Sequence, residues 1–337
     1  MNELLNKKMV RVAINGFGRI GRQILQAGIN DPDIEWIAVN DLTDTKTLAH
    51  LLKYDSVHGV SPYSINYDEK NLIVNSKTIK VFAEKDPTKL PWKDLKIDIV
   101  VESTGFFTER DGAMQHIKAG AKKVLISSPG KNSDITIVLG VNEKEYDKKK
   151  HNIISNASCT TNCLAPIVKV LNDNLSVKRG FMVTAHSYTA DQRLVDAPHK
   201  DLRRARSAAV SIIPTVTGAA KALGDVIPDV KGKMDGFAWR VPTPDGSIVN
   251  VVVEVEKPTD IEKVNWLFKQ VAQYHMKGIL EYTEEPIVSR DIIHNPHSCI
   301  FDALSTNVLG GTLISVSGWY DNEWGYSCRM VDVIKLL

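Results

Sequence analysis

Residues 16–21 read Gly-Phe-Gly-Arg-Ile-Gly, and their setting constrains the chain more than any other feature. Val10 to Ile14 is a β-rich run that stops at Asn15-Gly16. Arg19 to Ile29 follows with helical spacing of Ile20, Ile24, Leu25 and Ala27, and Ile34 to Val39 is a second strand ending at Asn40-Asp41. A lone G-x-G-x-x-G is weak. Between the strand and helix of one β-α-β unit it is a dinucleotide fingerprint. Gly16 allows the tight turn, Gly18 lets backbone amides approach a pyrophosphate at the positive helix end, and Gly21 permits close helix-on-strand packing. Arg19 and Ile20, inside the fingerprint, are counted with the cofactor site. Asp41 lies 20 residues past Gly21. A carboxylate there accepts from ribose hydroxyls and repels a 2′-phosphate, which favours NAD over NADP.

The strand–helix alternation continues. A helix is expected at Thr43–Tyr54, a hairpin at Asn71–Ala83 turning at Asn75-Ser76, a strand at Ile97–Val101, a helix at Arg110–Ala119, and strands at Lys123–Ser127, Ile135–Leu139 and Ile153–Ser155. This predicts a mainly parallel sheet with helices on both faces. Ser103-Thr104-Gly105 and Ser127 follow two of these strands, where the nicotinamide half of a dinucleotide passes; ordinary turn chemistry accounts for them equally well. Beyond about Ser158 the pattern changes. A long helix spans Thr160–Leu175, and longer valine-rich segments follow at Gly180–His186, Gly236–Val241, Ser247–Val255 and Thr312–Tyr320, with a helix at Ile261–His275. The fold class read here is an α/β Rossmann dinucleotide-binding domain plus an α+β domain with a large, mostly antiparallel sheet.

The 337-residue length suits two domains, and 43% apolar with 24% charged residues is ordinary globular composition. A net charge of +2 gives no support to a polybasic membrane or nucleic-acid binder. Four cysteines in this length do not make a disulfide framework and suit a reducing compartment. Met1 to Met9 lacks an apolar signal-peptide core, and no run approaches the roughly 20 apolar residues of a membrane span. A soluble cytoplasmic protein is expected, with neither a membrane partner nor a dedicated nucleic-acid site.

Ser158-Cys159-Thr160-Thr161-Asn162-Cys163 opens the long helix. A thiolate at a helix N-terminus is stabilised by the dipole and the free amides, and a nearby imidazolium would lower its pKa further. His186, closing the next strand, could reach Cys159 to form an activated thiol with a general base. Cys163 reads as a second, half-buried thiol, and Cys299 and Cys328 as packing residues. A C-x3-C pair with one distant histidine lacks structural-zinc spacing, so no metal is expected.

With these segments in place the chain resembles phosphorylating glyceraldehyde-3-phosphate dehydrogenases of the bacterial-type tetrameric family. The resemblance is carried by INGFGRIGR (14–22), NDLTD (40–44), LLKYDSVHG (51–59), ESTG (102–105), SNASCTTNCLAP (155–166), HSYT (186–189), DLRRAR (201–206), TGAAKA (217–222), RVPTP (240–244) and WYDNEWGYS (319–327). It implies Cys159 as nucleophile and His186 as base. It implies a substrate-phosphate site at Thr189, Asp191 and Arg240, and an inorganic-phosphate site at Ser158, Thr160, Arg204, Thr217 and Gly218. Asn322 would hold the nicotinamide carboxamide, with Tyr326 beside it. The implied reaction converts D-glyceraldehyde 3-phosphate to 1,3-bisphosphoglycerate with NAD and inorganic phosphate, through a thiohemiacetal and a thioester.

The resemblance further implies a homotetramer in which residues 188–206 reach toward a neighbour's cofactor. It implies an NAD-binding domain of residues 1–158 and 322–337 around a catalytic domain of 159–321. Two positions depart from the common pattern. Ala190 stands where the family usually has asparagine near the nicotinamide amide. Ala197 replaces a leucine in the Asp-Leu-Pro-His segment of strictly NAD-dependent members, so NAD is preferred with some NADP use allowed. Erythrose-4-phosphate dehydrogenase, which hydrolyses its acyl-enzyme, is the enzymatic alternative, and a moonlighting nucleotide- or RNA-binding role is the non-enzymatic one.

Overall fold

The computed structural model describes residues 9–337. They form two compact units, one of residues 9–137, 145–157 and 327–337, the other of residues 138–144 and 158–326.

In the first unit the strands are β1 (Val10–Asn15), β2 (Ile34–Asn40), β3 (Tyr54–Asp55), β4 (Gly59–Val60), β5 (Ile65–Tyr67), β6 (Asn71–Val74), β7 (Lys77–Phe82), β8 (Ile99–Glu102), β9 (Lys123–Ile126), β10 (Ile135–Thr136) and β11 (Ile153–Ser155). The helices are α1 (Arg19–Gly28), α2 (Thr45–Lys53) and α3 (Arg110–Lys118). Nine strands form one sheet in the order β10-β11-β9-β8-β1-β2-β7-β6-β5. Its pairs are parallel except β5–β6 and β6–β7, the hairpin expected from sequence. That hairpin turns through Asn75 and Ser76 at φ 46° and 65°, the left-handed pair that matches strand twist. β1 pairs with β2 on one side and β8 on the other, so the chain leaves the centre of the sheet in two directions. The crevice at the carboxyl ends of such strands is where open α/β sheets bind ligands.

The second unit holds α4 (Cys159–Leu175), β12 (Val177–Ser187), β13 (Ile213–Val216), α5 (Ala219–Val226), β14 (Met234–Val241), β15 (Ser247–Val255), α6 (Ile261–Gln273), β16 (Leu280–Thr283), β17 (Cys299–Leu309) and β18 (Leu313–Tyr320). The seven strands order as β13-β14-β12-β15-β18-β17-β16. Four of the six pairs are antiparallel; β12–β14 and β16–β17 are parallel. β15 alternates strictly, burying Val249, Val251, Val253 and Val255 on the face that carries α4. Of the opposite face, Phe181 and Trp239 stay exposed at 55% and 43%.

The last helix, α7 (Trp324–Leu336), crosses the unit boundary at Ser327. Residues just before it are tied to the second unit: Asp321 accepts from the His294 amide at 2.8 Å and Asn322 Oδ1 from Ser247 Oγ at 2.6 Å. Among the described residues no helix is long and apolar enough to cross a membrane.

Candidate active site

In the first unit the fingerprint glycines are constrained as their chemistry requires. Gly16 has φ +90°, and a Cβ there would fall 2.6 Å from the Thr104 nitrogen. A Cβ on Gly21 would lie 2.3 Å from the Gly16 carbonyl oxygen. Gly18 is the contrast: among the described residues nothing lies within 4 Å of a Cβ placed on it, and no side chain caps the α1 terminus it begins. An open glycine at an uncapped helix end is a cradle for a pyrophosphate, so these residues fit a dinucleotide. Asp41 accepts from the Phe17 and Thr43 amides at 2.9 and 3.0 Å, which ties the glycine loop to the end of β2. Arg19, beside half-exposed Ile20, pairs with Asp55 at 3.1 Å. Gly105 takes φ +76° with open space around it, and Ser127 Oγ donates to the Glu102 carbonyl at 3.1 Å.

In the second unit Ser158 caps α4, its Oγ accepting from the Thr161 amide at 3.0 Å. Cys159 therefore occupies the first helical position. Its Sγ lies 3.4 Å from His186 Nε2, near the end of β12. His186 Nδ1 lies 2.7 Å from the Ser187 carbonyl and 2.9 Å from an Arg240 Nη1 that also donates to that carbonyl. Tyr320, 1% exposed, packs edge-on against His186 and joins Thr160 and Thr184 through its hydroxyl at 3.0 and 2.9 Å.

Opposing effects act on the thiol and the imidazole. Burial pushes the Cys159 thiol up to about 11, against the Arg240 charge and the bonds from Thr160, which pull it down. Burial and then Arg240 push His186 down to about 3. The dipole and imidazolium expected to activate the thiol are thus opposed by desolvation, which disfavours both charged forms. The Arg240 guanidinium is itself shifted down by burial, with the Arg204 charge adding to the effect.

Arg204 donates through Nε and Nη2 to Thr215 Oγ1 at 3.0 and 2.7 Å and pairs with Asp191. The Asp191 carboxylate faces a cation and presents no donor of its own, so it aims Arg204. Thr217 Oγ1 accepts from the Ala219 amide at 3.2 Å, and Gly218 begins α5 without a side-chain cap. Thr189 is half-buried, its amide 3.3 Å from Gln192 Oε1. Ala190 is exposed, and the Ala197 amide donates to the Ala205 carbonyl at 2.9 Å. Tyr326 and Asn322 are buried in the second unit. Cys163 and Cys299 are fully buried; Cys163 is more enclosed than its expected half-buried state.

The family model for the NAD-binding domain of glyceraldehyde 3-phosphate dehydrogenase matches residues 10–110, and that for its C-terminal domain matches residues 158–322. The chain belongs to the glyceraldehyde-3-phosphate dehydrogenase family. It is 59% identical to the glyceraldehyde-3-phosphate dehydrogenase of Geobacillus stearothermophilus over 96% of this chain and 97% of that one. It is 57% identical to glyceraldehyde-3-phosphate dehydrogenase 1 of Bacillus subtilis over the same shares. Glyceraldehyde-3-phosphate dehydrogenase 2 of Trichormus variabilis is 55% identical over 98% of each chain.

Against that family assignment, sequence reasoning missed Tyr320 and Thr215. Each holds a functional side chain named above; Tyr320 lies in the WYDNEWGYS segment, which carries the resemblance without assigning it a role, and Thr215 lies in no such segment. It also missed the polar residues ending the central strands of the first unit: Asn15, Asn40 and Glu102. Three strands ending in buried polar residues were a visible signal, since strand ends facing nothing rarely bury them.

Proposed function

We propose that this family member oxidises and phosphorylates D-glyceraldehyde 3-phosphate to 1,3-bisphosphoglycerate, with NAD as cofactor, through a thioester on Cys159. The observation that carries the reading is the 3.4 Å approach of Cys159 Sγ to His186 Nε2 at the start of α4, beside the Arg240 guanidinium.

Each step follows from residues of this chain. With its proton on Nδ1 toward the Ser187 carbonyl, His186 leaves Nε2 to take the thiol proton. The Cys159 sulfur then adds to the aldehyde carbon and the imidazolium returns its proton to the oxygen, giving a thiohemiacetal and a neutral His186. Thiolate and imidazolium form together, so their attraction offsets the burial cost that each would meet alone. The Cys159 amide at the helix end and the imidazolium are positioned to stabilise the oxyanion. NAD, when bound, supplies the hydride acceptor. His186 receives the hydroxyl proton as the thiohemiacetal becomes a thioester. Inorganic phosphate then cleaves the thioester and frees the Cys159 sulfur.

Gly16, Gly18, Arg19, Ile20, Gly21 and Asp41 would hold the adenosine and pyrophosphate portion of NAD. Ser103, Thr104, Gly105, Ser127, Asn322 and Tyr326 would hold its nicotinamide portion. The substrate phosphate is assigned to Thr189, Asp191 and Arg240, the Asp191 carboxylate acting through the Arg204 guanidinium it pairs with. The attacking phosphate is assigned to Ser158, Thr160, Arg204, Thr217 and Gly218. Planar guanidinium forks and hydroxyl donors suit phosphate oxygens. Residues 1–158 and 322–337 serve cofactor binding and residues 159–321 the chemistry.

A homotetramer in the cytoplasm completes the proposal. It is supported by exposed apolar side chains in the second unit: Phe181, Trp239 and Leu304, together with Leu194, Val195 and Leu202 within and beside residues 188–206. Four free thiols suit a reducing compartment.

The experiment is NAD reduction with glyceraldehyde 3-phosphate, with and without inorganic phosphate. Phosphate-dependent turnover is expected. Equal turnover without phosphate would overturn the phosphorolytic step in favour of hydrolysis.

A further inference from the structure

Glu102 ends β8 and is 1% exposed, yet no lysine or arginine pairs with it among the hydrogen bonds and ion pairs of the described residues. Its carboxylate is held by neutral donors instead. Oε1 accepts from the Thr104 amide at 2.8 Å and from the Thr104 hydroxyl. Oε2 accepts from Asn15 Nδ2 at 2.6 Å and lies 3.0 Å from Nε2 of His116, a ring with no exposed surface. The opposite nitrogen of that ring, Nδ1, lies 3.1 Å from the indole nitrogen of Trp92. An indole N–H only donates, so Nδ1 must accept, and the ring proton sits on Nε2 facing Glu102. Trp92 thus gives the ring one orientation.

Both neighbouring loops hang on this carboxylate. Thr104 Oγ1 accepts from the Phe106 amide at 3.0 Å, which closes the turn around Gly105. The Thr104 backbone in turn leaves no room for a side chain on Gly16, at 2.6 Å. Asn15, bonded to Glu102, accepts from Asn40 Nδ2 at 2.7 Å at the end of β2. A buried anion satisfied only by directional neutral donors tolerates one arrangement of those donors.

We propose that Glu102 and His116 are positioning residues for cofactor binding: through Thr104 they hold the Ser103–Gly105 turn in the shape that receives the nicotinamide half of NAD. The proposal rests on the assignment of that turn to the NAD site made above.

The test compares His116→Phe, His116→Gln and Gly105→Ala in the full-length enzyme. Phenylalanine fills the ring's space but cannot donate to Glu102. Glutamine can donate to Glu102 and accept from Trp92. His116→Phe is expected to raise the NAD KM and Kd about tenfold, the loss of a single hydrogen bond to a charged group. KM for inorganic phosphate and the rate of Cys159 alkylation without NAD stay unchanged. His116→Gln recovers most of the NAD affinity, which a loss of packing alone would not predict. A folded His116→Phe with wild-type NAD affinity and only a lowered Tm overturns the proposal.

Gly105→Ala separates the two assignments. It adds a methyl at a positive φ with no neighbouring atom to clash with. If it weakens NAD binding and His116→Phe does not, the turn contacts NAD but the dyad does not position it. If neither variant changes NAD binding, the assignment of the turn itself fails. Should His116→Phe not fold, Glu102→Gln reads the same link, because its amide would set a donor against the Thr104 or His116 donor. Unchanged NAD affinity in that variant equally overturns the proposal.

Discussion

Cys159 Sγ and His186 Nε2 stand 3.4 Å apart, one on the first residue of a helix and the other near the end of the following strand. Ser158 sets the helix start, and the Ser187 carbonyl sets the imidazole ring, so the pair is fixed by one side-chain cap and one backbone carbonyl. His186→Asn is expected to lower kcat by roughly 10²–10⁴-fold, the usual worth of a positioned base. NAD Kd should not move. Cys159→Ser should abolish phosphate-dependent turnover while still binding NAD. Near wild-type kcat in either variant would remove that residue from the chemistry.

Arg240 acts on both members of the pair. Its charge lowers the pKa of the thiol and of the imidazole. Arg240→Leu should therefore move the midpoint of Cys159 alkylation to higher pH, by about one unit for each 1.4 kcal/mol of lost attraction. Iodoacetamide rates measured across pH give the midpoint. A midpoint that stays in place would mean that the guanidinium is screened from the sulfur.

Thr215 holds two nitrogens of the Arg204 guanidinium. Thr215→Val keeps the shape and removes both acceptor contacts, at a cost of about 1 kcal/mol of positioning. The expected result is a five- to tenfold rise in KM for inorganic phosphate, taking about 1–1.4 kcal/mol as the conversion. KM for glyceraldehyde 3-phosphate should change little. A rise in both by the same factor would contradict two separate anion sites.

Asp55 couples the fingerprint to pH. Burial raises its pKa, but the His58 and Val57 amides and Arg19 outweigh that and hold it at about 2, below the ordinary 3.8. A carboxylate depressed on folding stabilises the protein above its unfolded pKa and loses that contribution as pH falls through its folded one. Unfolding midpoints should drop between pH 4 and pH 2, and Asp55→Asn should flatten that drop while costing about 1–2 kcal/mol at neutral pH. The same variant releases Arg19 and should raise the NAD KM. An unchanged acid profile would exclude Asp55 as its source.

Asp41, assigned above to the adenosine end of NAD, accepts from the Phe17 amide at 2.9 Å. The ratio of kcat/KM for NAD to that for NADP should exceed one, because a carboxylate at this position repels a 2′-phosphate. Asp41→Ala should bring the ratio toward one, chiefly by weakening NAD. Equal or reversed values in the unaltered enzyme would refute the preference.

The dinucleotide fingerprint, the helix-start cysteine and the Asn75-Ser76 hairpin were all legible in the sequence. Each depends on backbone geometry settled within a few residues: a positive φ at Gly16, a serine cap at Ser158, a paired left-handed turn. Strand β17 was not legible. Its register shifts between Asp302 and Asn307, so its polar and apolar residues do not alternate cleanly along the chain. The parallel pairing of β12 with β14 left no local trace either, because strand direction is decided by the path of the intervening chain.

The same limit governs the sites. Sequence alone identified Cys159 and His186 as residue types suited to the chemistry, and the family resemblance added Arg240. Only the tertiary structure brought Tyr320 to Thr160 across 160 positions, Thr215 to Arg204, and Glu102 to Asn15 across 87. Tertiary burial also set the sign of the largest effect on the thiol. A helix dipole is a local property, readable from where Cys159 begins α4. Desolvation depends on everything packed around the sulfur, and that is fixed only when strands and helices distant in sequence pack beside it.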